Sequence, residues 1–198
     1  MRTQEQAITD FDESFRLAIQ SERESREASY TELPEVICGV QVNQMEIRHL
    51  VMLQLLDSPF ICGGIPDQSD VAQFMWIVSP LFEFCEPAKR DRFTHGLRRL
   101  PFANAVQSIH DYVSEAFADA PSGKSGESIS YAAWPSALVD LIASEYGWTE
   151  TAILALPLKR CWQYWRRIAL RHDPKKVLFN AKSDAVKSAW LASMNLGS

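Results

Sequence analysis

The residues closest to a cofactor-binding motif in this chain of 198 residues are Gly123, Lys124 and Ser125. A Gly-Lys-Ser run is typical of the loop that holds nucleotide phosphates, where the lysine and backbone N–H groups bind phosphate oxygens. Such a loop follows a β-strand and needs another glycine five positions before Gly123, but that residue is Ala118. The spacing therefore excludes a phosphate-binding loop.

The cysteines could serve as metal ligands or nucleophiles, but their spacing favours neither role. No two of them form a C-x-x-C pair, and no histidine lies at zinc-ligand spacing from one of them. No serine or cysteine lies in a glycine-flanked nucleophile elbow, and no acidic metal loop is present. We therefore expect a chain that is not an enzyme and that binds no cofactor or metal. Its thiols are expected to be free and buried, at Cys38, Cys62, Cys85 and Cys161.

A run of basic residues near the C-terminus could bind a partner instead. An amphipathic helix is predicted to begin after Pro157, with apolar residues along one side and basic residues on the opposite side. Lys159, Arg160, Arg166 and Arg167 are predicted to form one solvated basic row on this helix. Such a row suits an acidic helical partner, although a solvated face without any partner gives the same pattern.

Composition limits the other partners of the chain. The formal net charge is −5, so we expect no general affinity for nucleic acid or for an anionic membrane. The chain contains no apolar run of about 18 residues, and its first residues are polar and charged. Neither a membrane span nor a signal peptide is therefore expected.

Prolines and helix-capping residues divide most of the chain into helices. Only residues 36–42 are typical of extended structure, and Gly39 in their middle predicts a tight bend. A capping box at Asn43 and Glu46 is predicted to begin the next helix, whose apolar residues 50–56 indicate burial on every side. His49 is expected near the surface. The fold class predicted is all-α, a compact multi-helix domain with at most one short β-hairpin.

The same signals divide the chain into four segments. A run rich in serine and glycine between two helical regions is typical of a linker. The predicted segments are an N-terminal helical arm, a first part of the helical core, a linker loop, and a C-terminal helical part on the same core: 1–32, 33–120, 121–130 and 131–198.

The N-terminal arm is predicted to be a peripheral helix with a narrow apolar stripe. Phe11 and Phe15 are the largest residues of that stripe. Two interpretations stay open for it, packing against the domain or docking on a partner protein. We include both phenylalanines among the candidate partner-binding residues.

One further pattern resembles a helix-turn-helix. Ala143 permits close helix crossing and Gly147 suits the turn, followed by apolar residues at Ile153 and Leu156. The helix predicted at residues 150–156 contains no Arg, Lys, Asn or Gln to read base edges. We expect the geometry without DNA reading, and a DNA-binding protein remains an alternative.

Two stretches together resemble a known group of proteins. Residues 36–80 combine the extended segment, an apolar helix, Gly63-Gly64 and a helix with Trp76. Residues 146–158 begin with Tyr-Gly-Trp and continue with Ile-Leu-Ala-Leu-Pro-Leu. Both are similar to the tail assembly chaperones of tailed bacteriophages.

This resemblance implies a helical protein without a cofactor that holds the tape measure or tail tube protein in the host cytoplasm before assembly. The arm and the linker are not part of the pattern, which leaves a structural virion protein as an alternative. Homo-oligomerisation also stays open.

Overall fold

The structure is a computed structural model that describes residues 34–82, 86–121 and 134–173, with separate positions between 13 and 31. Within this part of the chain the fold is mostly helical, with a two-stranded antiparallel hairpin. The predicted all-α class is confirmed. The described positions of the arm from Glu13 to Glu27 are helical as well. None of the helices described is both long enough and apolar enough to cross a membrane.

The hairpin forms where the sequence predicts the bend. Strand β1 (Glu35–Ile37) pairs antiparallel with strand β2 (Val40–Val42). The two turn residues, Cys38 and Gly39, have φ angles of 49° and 81°. Turns with positive φ at both positions match the twist of paired strands, which explains the tight connection.

The helices follow the proline and capping signals. Pro59 and Pro87 lie in the first turn of their helices, whereas Pro101 and Pro157 occupy the preceding cap position, where a missing N–H costs little. The helices are α1 (Ile47–Leu55), α2 (Pro59–Cys62), α3 (Gln68–Ile77), α4 (Pro87–Leu97), α5 (Phe102–Ala116), α6 (Trp134–Tyr146), α7 (Glu150–Leu154) and α8 (Leu158–His172).

Helix α1 occupies the core, although it is not buried on every side as predicted. Leu50 and Leu53 are fully buried, but Leu55 is 76% exposed and Leu56 is 45% exposed. Arg48, seven residues before Leu55, is exposed as well, so one side of the helix is left uncovered. The prediction from an all-round apolar pattern is therefore wrong for this side, because composition does not say which sides of a helix its neighbours cover.

The start of α1 differs from the predicted capping box by one turn. Glu46 is the cap residue, and its side chain pairs with His49 in a reciprocal capping box. Asn43 instead ties the hairpin to the core, since its N–H donates to Val78 O at 2.8 Å and its carbonyl accepts from the Tyr112 hydroxyl at 2.8 Å. Burial raises the pKa of Tyr112, so this hydroxyl stays protonated and donates.

The same region joins the beginnings of α1 and α8. The Leu158 N–H donates to Met45 O at 2.7 Å, and the Ile47 N–H donates to Leu156 O at 3.3 Å. These two bonds form an isolated antiparallel bridge between Glu46 and Pro157. The last described helix is thereby fixed at its first residue to the first helix after the hairpin.

His49 is buried rather than near the surface, with 1% of its area exposed. Its Nδ1 accepts a hydrogen bond from the Glu46 N–H at 3.2 Å, which satisfies the cap only while the ring is neutral. Burial lowers the pKa of His49 to about 4, and the charge of Arg48 lowers it further. The ring is therefore neutral in the folded protein at physiological pH.

A pair of glycine substitutions tests the hairpin turn. Gly39→Ala should lower the free energy of unfolding by about 1 kcal/mol, because alanine disfavours positive φ. Gly96→Ala, in α4 with open space around the added methyl, should leave stability unchanged or raise it by up to about 1 kcal/mol. Denaturant unfolding measures both; equal effects would contradict the turn geometry.

Acid titration tests the burial of His49. Below the unfolded-state pKa of about 6.5 the unfolded chain takes up a proton and the folded chain does not, so stability falls as the pH falls towards 4. We expect a loss of about 1 kcal/mol between pH 7 and pH 5.5 from this group. Denaturant unfolding of His49→Gln should lack that part of the loss, whereas His172→Gln, at an exposed position, should keep it. The same pH dependence in all three proteins would contradict this origin.

Candidate protein-binding face

The predicted basic row of α8 is two rows. Successive residues of an α-helix are separated by 100°, so residues seven apart share a side. Lys159 and Arg166 therefore lie in one row, and Arg160 and Arg167 lie in the next. The two rows have different surroundings in the structure.

The first row, which we call the inner row, faces the rest of the domain and holds α8 in place. The Lys159 Nζ lies 3.2 Å from Glu35 and 3.7 Å from Glu115, which connects α8 to β1 and α5. Between the two basic residues, Gln163 donates to Asp119 at 3.2 Å. Arg166 is only 5% exposed. The prediction that Lys159 and Arg166 belong to a solvated row is therefore wrong, because the residues that face this side come from distant parts of the chain.

The second row, which we call the outer row, faces outward and includes more residues than the sequence predicted. Arg160, Tyr164, Arg167 and Arg171 follow one another at helical spacing along one side of α8. Arg167 and Arg171 are exposed, and Arg160 and Tyr164 are half-buried. Two of the four predicted basic residues thus lie on an accessible side of the helix.

An aromatic cluster lies beside this outer row. Gly147, with φ of 67°, ends α6 and turns the chain so that Trp148 stacks on Tyr146 at a ring distance of 5.2 Å. Tyr164 of α8 contacts both rings edge-on, at 5.1 Å from Trp148 and 5.3 Å from Tyr146. Such pairs stabilise beyond their buried area, and here they connect the end of α6 to α8.

Arginines extend the cluster at both ends. The Arg160 guanidinium lies 5.4 Å from the centre of the Tyr30 ring and donates to Tyr30 O at 3.4 Å. The Arg171 guanidinium lies 5.0 Å from the Tyr146 ring. We call the surface formed by these residues the aromatic–arginine face; its members are Tyr30, Tyr146, Trp148, Arg160, Tyr164, Arg167 and Arg171.

The functional groups of this face are aromatic rings, phenol hydroxyls and guanidinium groups. Burial raises the pKa of Tyr164, and repulsion from the neighbouring Tyr30 raises it further, so the hydroxyl stays neutral. Within the described residues, no group of three or more His, Cys, Asp or Glu is placed to hold a metal ion. The face offers apolar ring surface, phenol hydroxyls and guanidinium groups, which are the side chains enriched where proteins bind proteins.

The thiols only partly match the expectation of burial. Cys161 is buried, and burial raises its pKa to about 12, so it remains an unreactive thiol. Cys38 is half-buried and Cys62 is exposed. All three are free, and Cys85 lies outside the described residues.

The remaining predicted site residues have different outcomes. Phe11 and Phe15 lie outside the described residues, so their role stays a prediction. The sequence did not single out Trp148 as a binding residue, because an apolar residue directly after a helix-ending glycine commonly packs back against the last turn of the helix. The helix-turn-helix-like corner forms between α6 and α7, but α7 has only five residues and exposes Glu150 and Thr151.

A scan against protein-family models, a search of curated proteins and a search of solved structures found no match for this chain. The interpretation of the aromatic–arginine face therefore depends on its geometry and charge, together with the sequence resemblance described above.

Two alanine substitutions in adjacent residues test the separation of the rows. Arg166→Ala should lower the free energy of unfolding by about 2 kcal/mol, since it removes a buried side chain together with its polar contacts. Arg167→Ala, one residue further on, should change stability by less than about 0.5 kcal/mol. Thermal or denaturant unfolding measures both. Similar effects of the two changes would mean that α8 is rotated relative to the structure described here.

Proposed function

We propose that this protein is a non-enzymatic bacteriophage assembly protein, most concretely a tail assembly chaperone that holds the tape measure or tail tube protein before assembly. The observation that carries the proposal is the aromatic–arginine face, in which the exposed ring of Trp148, after the end of α6, lies beside the row of arginines on the outer side of α8. Trp148 is 38% exposed although it stacks on a neighbouring ring. A large ring left accessible in this way supports binding of another protein surface.

The packing behind the face supports a role in holding a partner. Trp162, on the inner side of α8, donates its indole N–H to Ala116 O at 3.0 Å and stacks on Trp134 at 5.5 Å. Both contacts, with the ion pairs of Lys159, fix the orientation of the helix that displays the outer row. A preformed surface loses little conformational entropy on binding, which favours affinity.

The specific class comes from the resemblance to tail assembly chaperones, and the geometry is compatible with it. A holding protein needs an exposed surface for an aggregation-prone partner and needs no catalytic group. The DNA-binding alternative has less support, because α7 offers an acidic residue and a threonine where base-reading side chains are needed. A structural virion protein would use the same face and differs only in remaining within the particle.

Co-expression with each tail protein of the phage genome that encodes the chain tests the proposal. The wild-type chain should raise the soluble yield of the tail tube or tape measure protein and co-purify with it. Trp148→Ala should weaken the complex by about tenfold or more, equivalent to at least about 1.4 kcal/mol, because an exposed central ring is lost. Phe102→Ala is the matched control, since Phe102 is 40% exposed on the start of α5.

Two outcomes would overturn the proposal. If neither tail protein is held by the wild-type chain, the chaperone function is wrong. If Trp148→Ala binds as well as wild type, or Phe102→Ala loses as much binding as Trp148→Ala, the aromatic–arginine face is not the specific contact surface. Mass spectrometry of purified particles decides between the chaperone and the virion protein, because a chaperone leaves before the particle is complete.

A further inference from the structure

The three arginines of the aromatic–arginine face differ in how far other residues already hold their guanidinium groups. Arg160 is held against the ring and the carbonyl of Tyr30. Arg171 forms an ion pair with Glu145 at 3.1 Å and lies over Tyr146. Arg167, between them on the same side of α8, is exposed and makes no ion pair or side-chain hydrogen bond with another described residue. It is therefore the cation of this row that is available to a carboxylate of a partner.

A small open pocket lies directly beside Arg167. Tyr146, Arg167, Leu170 and Arg171 line a cavity of about 420 Å³. Tyr146 and Leu170 contribute apolar surface to the lining, and Arg167 contributes a guanidinium group that is not already paired with a described carboxylate. This combination suits an apolar side chain that has an acidic group next to it, because the apolar lining removes apolar area from water and the guanidinium group pairs the charge.

We propose that this pocket recognises an acidic segment of the partner protein, in which an Asp or Glu pairs with Arg167 while a neighbouring apolar side chain fills the space against Tyr146 and Leu170. The proposal rests on the proposed function in that it names the chemistry of the partner segment that the face holds. Charge complementarity carries it, since the face is locally basic in a chain whose formal net charge is −5.

A nucleic acid strand fits the same face less well. Stacking of successive bases needs several parallel ring faces, but Tyr164 lies edge-on to both Tyr146 and Trp148. Glu145 also brings a carboxylate into the edge of the face, within 2.7 Å of His172 and 3.1 Å of Arg171. A polyanion would be repelled by this carboxylate and by the overall charge, whereas a single acidic side chain can be placed at Arg167.

Selection from a library of random short peptides tests the proposal without any tail protein. The full-length wild-type chain should enrich peptides that place Asp or Glu next to a bulky apolar residue, and their binding should weaken as salt is raised. Arg167→Glu should reduce binding of the selected peptides at least tenfold. Arg167→Lys should retain part of it, because the charge remains but the planar two-donor geometry is lost.

The matched control is Arg92→Glu, which makes the same charge change at an exposed position of α4. It should bind the selected peptides as the wild type does. The proposal is overturned if the wild-type chain enriches no acidic peptides, or if Arg92→Glu loses as much binding as Arg167→Glu. It is also overturned if a single-stranded oligonucleotide binds the wild-type chain and is lost with Arg167→Glu.

The peptide experiment and the co-expression experiment fail separately. Enrichment of acidic peptides without retention of any tail protein would support the pocket proposal and contradict the proposed function. If a tail protein is retained equally well by the wild type and by Arg167→Glu, the proposed function is supported and the pocket proposal is contradicted.

Discussion

The arrangement of this protein depends on one short antiparallel pairing between two helix starts. Met45 and Ile47 exchange backbone hydrogen bonds with Leu158 and Leu156, at distances of 2.7 and 3.3 Å. Each bond contributes only about 1 kcal/mol, but together they set the position of the first residue of α8. The direction in which Arg160, Tyr164, Arg167 and Arg171 point follows from that position and from the inner-row contacts with β1 and α5. A shift of the bridge by one residue would change which side of the helix faces the protein, because successive residues are separated by 100°.

The division of α8 into an inner and an outer row separates side chains that hold the helix to the domain from side chains that a partner could reach. The inner row uses charge for structure, since Lys159 pairs with Glu35 and Glu115 in partly buried surroundings. In the outer row Arg160 and Arg171 lie over tyrosine rings, and Arg167 between them is exposed. Basic residues at adjacent positions of α8 thus have different roles. Lys159 and Arg166 hold the helix to the domain, whereas Arg167 is exposed. A substitution of a basic residue here is therefore informative only when its row is known.

Much of the fold was predictable because its signals are local. Gly39 marks the hairpin turn, and the prolines mark helix starts, since each restricts the backbone at its own position. The face was predictable only in part. The sequence identified Arg160 and Arg167, but it grouped them with Lys159 and Arg166, because the partners of the inner row lie far away along the chain. Burial of His49 and exposure of Leu55 escaped prediction for the same reason, since both depend on which element covers α1.

The pairing of the two helix starts also has a consequence for the synthesis of the chain on the ribosome. The hairpin and α1 emerge early, but the backbone groups at Met45 and Ile47 find their partners only after residues 156–158 have been translated. Until then the nascent chain exposes apolar core residues that pack with Leu158 in the finished protein. Contacts between segments so far apart in the chain form slowly. The order of translation therefore makes completion of the domain a late event, and a ribosome that stalls before α8 leaves an unfinished core available to the proteases of the cell.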